Sequence, residues 1–112
     1  MQGEKHIQIA IIGGGASGTL TAINLLRKLN REAKLYLIEK HESALFRGAA
    51  YSSQLSYEPL NVHAGKMSAF AHLPDSFYQW VVDNRSNAIQ RESFVSRRWY
   101  GDYLTELFQK HN

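Results

Sequence analysis

The chain has 112 residues, 44% of them hydrophobic, 12% aromatic and 21% charged, with 13 Lys and Arg against 10 Asp and Glu for a formal net charge of +3. That length suits one core, and the mixture excludes collagen-like, coiled-coil and wholly disordered chains. With no cysteine, disulfides, thiolate metal sites, iron–sulfur clusters and cysteine nucleophiles are excluded, and any redox chemistry would need a bound cofactor.

The first segment, His6-Ile7-Gln8-Ile9-Ala10-Ile11-Ile12, is rich in β-branched residues and runs into three glycines. It predicts a buried parallel strand. Its apolar run is too short for a membrane helix or the core of a signal peptide, so the expectation is a cytoplasmic protein with no membrane contact. From Ala16 to about Asn30, Leu20, Ile23, Leu26 and Leu29 recur at threes, and Arg27, Lys28 and Arg31 gather at the far end, where cations suit a helix dipole. Ala33-Lys34-Leu35-Tyr36-Leu37-Ile38-Glu39 predicts a second short strand that ends in an acid. Strand, helix and strand in this order make a βαβ unit with a right-handed crossover.

Residues 40–75 carry Gly48, Gly65, Pro59, Pro74 and no sustained period, which predicts a mostly irregular stretch. Phe77, Trp80 and Val81 then share one face of a short helix that Asp75 or Ser76 would cap. Tyr100, Tyr103, Leu104, Leu107 and Phe108 follow the i, i+3, i+4, i+7, i+8 pattern of an amphipathic helix. Arg85, Arg91, Arg97 and Arg98 against Glu92 form a basic stretch, read as solvated or ion-paired arginines. It lacks the interleaved aromatics and motifs of a nucleic-acid binder.

Gly13-Gly14-Gly15-Ala16-Ser17-Gly18 satisfies G-x-G-x-x-G in the setting that gives the pattern meaning: a predicted strand before it, a helix opening inside it, and Glu39 closing the next strand 21 residues after Gly18. Gly13 would permit the tight turn, Gly15 would let a pyrophosphate approach the backbone, and Gly18 would bring helix and strand together. The anion would sit on the N–H groups around Ala16 and Ser17 at the positive end of the helix. Glu39 would accept a ribose hydroxyl and repel a 2′-phosphate, favouring FAD or NAD over NADP. A glycine-rich turn that binds nothing and an S-adenosylmethionine site are the competing readings.

The resemblance to a known family extends beyond this fingerprint. Residues 11–18, Arg47-Gly48-Ala49-Ala50-Tyr51-Ser52, the run from Leu60 through Asn61, Val62 and Met67 to Phe70, and the run from Phe94 to Leu104 resemble four blocks of the FAD-NAD(P)-binding family. The resemblance implies an α/β, Rossmann-like βαβ dinucleotide-binding fold, here truncated before the later strands, in one domain over residues 1–112. It also implies FAD at Gly13, Gly15, Ala16, Ser17, Gly18 and Glu39, an oxidoreductase as the parent protein, and NAD(P) as a co-substrate of it. Asn61, Val62 and Met67 would line the riboflavin part, with core packing as the other reading of Met67. Arg97 and Arg98 would face cofactor phosphates or pair with carboxylates.

Two lone strands would leave apolar surface and a sheet edge bare, to be covered by a second copy of the chain or by the rest of a longer one. Nothing assembles a catalytic constellation. The five histidines lack metal-ligand spacing, and Ser68 or Ser17 with His63 and Asp75 form a triad in name only.

Overall fold

The computed structural model describes residues 7–29, 33–51 and 59–111. His6, Asn30, Ser52 and the whole of 52–58 lie outside these residues. Strand β1 (Gln8–Ile12) pairs in parallel with β2 (Lys34–Ile38), with Gln8 opposite Lys34 and Ile12 opposite Ile38. Helix α1 (Ala16–Lys28) makes the crossover and packs against both strands. Arg27 and Lys28 occupy its last turn, and the Leu29 N–H closes it on the Leu25 carbonyl at 2.8 Å. The βαβ unit is therefore formed where the sequence places it, with a mixed α/β architecture.

One expectation about this unit needs correcting. The strands are not buried: along each, half-buried residues (Ile9, Ile11; Leu35, Leu37) alternate with exposed ones. Ile12 is 78% exposed, and Tyr36 and Ile38 are each 48% exposed. A parallel strand is buried only where helices cover both faces of its sheet, and α1 covers one face of this pair.

The core lies on the other side of α1. Ile23 of α1 joins Leu60, Ala64, Ala69 and Phe70 of the intervening loop, Phe77 and Val81 of α3 (Ser76–Asn84), Val95, and Tyr100, Tyr103 and Leu104 of α4 (Arg97–His111). Phe77 stands at its centre, with ring centroids 4.9 Å from Tyr100, 5.0 Å from Tyr103 and 6.2 Å from Trp80. Tyr103 is fully buried, and its hydroxyl accepts the Ala69 N–H at 3.0 Å and shares a hydrogen bond with Ser76 Oγ at 2.8 Å. A buried phenol is tolerated when it is satisfied in this way.

The described parts of the stretch 40–75 are more ordered than its composition suggests. They contain 3-10 turns at Glu42–Ala44 and Ala64–Lys66 and a short helix, α2 (Gly48–Tyr51). Capping of α3 also differs from expectation. Asp75 holds the N-cap position without a side-chain cap bond, because Arg91 takes its carboxylate through Nε at 3.2 Å and Nη2 at 2.9 Å. Ser76 is drawn instead to Tyr103.

Candidate functional site

The turn between β1 and α1 is built from glycines that do different work. Gly13 has φ +101°, a conformation that disfavours side chains, and its N–H reaches across to the Ile38 carbonyl at 2.8 Å. At Gly18, a Cβ would overlap the Gly13 carbonyl oxygen and stand 3.4 Å from Ile11 Cγ2. This is the close helix–strand contact that the motif predicts.

Gly15 is the N-cap of α1. No side chain caps this end and no acid lies in the first turn, so the positive end of the helix is not neutralised from within α1. A Cβ on Gly15 would stand 3.2 Å from Gly48 Cα, so the backbone that approaches this glycine belongs to Gly48.

Gly14, a spacer position in the motif, is as constrained as its neighbours. Its N–H donates to Glu39 Oε1 at 3.0 Å, and its carbonyl accepts the Phe46 N–H at 2.5 Å and the buried Thr19 hydroxyl at 3.2 Å. A Cβ there would meet Leu45 Cδ1 at 2.7 Å.

Glu39 is thus brought to the turn from the end of β2. Its second oxygen accepts the His41 N–H at 3.1 Å. The His41 N–H, with help from those of Gly14 and Lys40, holds the Glu39 carboxyl below its ordinary value, against a smaller opposing effect of burial. A carboxylate offers about four acceptor positions, so these three N–H groups leave room for a hydroxyl donor. Because the folded-state pKa is lowered, the stability that ionised Glu39 contributes is fully present above the ordinary value of 4.5 and is lost as pH falls through the lowered one. The stability difference between the protein and Glu39→Gln should therefore shrink on acidification below pH 4.5, as followed by urea denaturation across a pH series. A pH-independent difference would contradict this role.

Residues 46–51 form a strap between the turn and α4 that motif reading does not anticipate. Phe46 has φ +70°, a conformation that costs a non-glycine residue about 1–3 kcal/mol. Its N–H is tied to Gly14 and its ring lies 5.0 Å from that of Phe108. Arg47 Nη2 pairs with Asp102 Oδ1 at 2.5 Å, and Arg85 Nη2 takes Asp102 Oδ2 at 3.1 Å. Gly48 has φ +64°, and a Cβ there would lie 3.4 Å from both Ala16 N and Gly15 Cα. The Tyr51 ring rests 4.8 Å from that of Tyr100. Two of the blocks quoted above, 47–52 and 94–104, therefore touch each other beside the glycine turn.

Gly13 to Gly18 and Glu39 come together, whereas the contacts of Asn61, Val62 and Met67 lie elsewhere. Their loop is stapled to the 91–95 segment through Leu60 N to Val95 O at 2.7 Å, Ala64 N to Ser93 O at 2.9 Å and Gly65 N to Arg91 O at 2.8 Å. Asn61 and Val62 are exposed, and Met67 packs against the core. The named triad has no geometry. Ser68 Oγ bonds Phe70 and Leu73, Asp75 belongs to Arg91, and the His63 ring packs edge-on to Phe94 at 4.6 Å. Two of the basic-stretch arginines, Arg85 and Arg91, are ion-paired within the fold. Among the described residues no helix is long and apolar enough to cross a membrane.

A family model described as FAD-NAD(P)-binding matches residues 10–111. No curated protein and no solved structure matches the chain.

Proposed function

Because the chain belongs to the FAD-NAD(P)-binding family, we propose that it is the FAD-binding segment of a flavin-dependent oxidoreductase, with the adenosine half of the cofactor on the Gly13–Gly18 turn. The observation that carries this reading is the position of Glu39, whose carboxylate lies on the Gly14 N–H at 3.0 Å with acceptor capacity to spare. The α1 N-terminus, without a cap or an acid of its own, suits a pyrophosphate. The N–H groups of Ala16, Ser17 and Gly18 would bind it, and Glu39 would orient the ribose through its hydroxyls while repelling a 2′-phosphate. FAD, when bound, supplies electron and hydride transfer. Asn61, Val62 and Met67 would line the riboflavin part.

The second reading is a noncatalytic nucleotide-binding or assembly fragment that binds NAD or no cofactor, and titration with NAD as well as FAD separates it from the first. A cytoplasmic setting belongs to the proposal as well.

Titration with FAD, followed by flavin fluorescence, tests the site. Glu39→Ala should weaken binding roughly 10- to 160-fold, the range for hydrogen bonds to a charged group. Unchanged affinity would remove Glu39 from the site.

A further inference from the structure

We propose that Asp102 is a positioning residue for the dinucleotide, acting through Arg47 on the backbone of Gly48; the inference rests on the reading of the glycine turn given above. Arg47 immediately precedes Gly48, and its guanidinium is anchored on α4 by Asp102 at 2.5 Å and by the Arg98 carbonyl at 3.4 Å. The anchorage is built into α4. A Cβ on Gly101 would clash with Arg47 Nη1 and meet the Tyr51 carbonyl at 2.9 Å, so only a glycine there lets the strap lie on the helix. At its other side the strap meets the turn, with Gly48 packed on Gly15 and beside Ala16 N. The height of Gly48 over the α1 N-terminus, where the pyrophosphate would sit, is therefore set from α4.

Asp102 carries both guanidinium groups, one on each oxygen, with only about a quarter of each ion-pair side chain exposed on the Arg47 side (26% and 25%). Without its charge Arg47 and Arg85 repel each other across the vacated position, and the strap loses its anchor. Groups that contact a ligand hold their geometry only when the residues behind them are fixed.

Electrostatics separates this role from a simple charge effect. Removing a negative charge near the site of an anionic ligand should by itself strengthen binding, whereas displacement of Gly48 weakens it.

The experiment titrates the full chain with ADP at low temperature, with folding of each variant verified by near-ultraviolet circular dichroism. Asp102→Asn should bind ADP about tenfold or more weakly. Arg47→Lys keeps the positive charge but cannot span Asp102 and the Arg98 carbonyl, and should lose about fivefold even if Asp102→Asn does not fold. Arg85→Gln removes the other partner of Asp102, which does not touch the strap, and should stay within about threefold of the parent. Asp102→Asn or Arg47→Lys binding ADP as tightly as the parent, or Arg85→Gln losing as much as they do, overturns the inference alone. Failure of the parent itself to bind ADP overturns the reading of the glycine turn, and this inference with it.

Discussion

Gly18→Ala should destabilise the fold by about 3 kcal/mol and abolish dinucleotide binding. Alanine is the better helix former by about 1 kcal/mol, so propensity alone predicts a gain. The surroundings reverse the sign. The new methyl group would overlap the Gly13 carbonyl oxygen, a backbone atom that cannot rotate away, with the Ile11 side chain close behind. Relief requires α1 to lift from β1, which opens the turn whose Gly13 N–H and Gly14 N–H are tied to Ile38 and Glu39. Overpacking of this kind costs about 1–3 kcal/mol, more where backbone must move. Urea denaturation reads the loss directly, and a variant as stable as the parent would show that helix and turn are not in contact.

Phe77→Ala should cost about 3–5 kcal/mol, the range for removing a fully buried phenylalanine. The side chain is entirely buried and touches three other aromatic rings contributed by α3 and α4. Domains of this size have total stabilities of about 5–15 kcal/mol, so the loss would be a large fraction of the total and the urea midpoint would fall accordingly. Phe77→Leu keeps the site apolar and should lose far less. A loss below about 1 kcal/mol for Phe77→Ala would mean that the core is not organised around this ring.

The βαβ unit was legible because three local signals coincide: a β-branched run and a second short apolar run, a helical period between them, and glycines at the spacing that a tight turn needs. The last helix was legible for the same reason, as its buried residues Tyr100, Tyr103 and Leu104 lie on one face by periodicity alone. What escaped notice depends on separation in sequence or on backbone conformation. Arg47 and Asp102 are 55 residues apart, and neither has a local pattern that names its partner. Helix α2 spans four residues, too few for a period, and nothing about Phe46 announces a positive φ. Gly14 counts as a free position in G-x-G-x-x-G, yet here it carries the hydrogen bond to Glu39. Asp75 has the residue type of a helix cap, and a guanidinium 16 positions away took its carboxylate instead. The exposed strand face of Ile12, Tyr36 and Ile38 reflects the same limit: a β-branched run predicts a strand, but burial depends on how many faces of the sheet are covered.

The most direct test of the central claim is to purify the chain, record its visible spectrum, identify any nucleotide released on denaturation, and titrate the protein with FAD. The account predicts saturable binding of one FAD per chain, either carried through purification as a yellow protein or restored on titration. A folded, colourless protein that binds neither FAD nor NAD would contradict it.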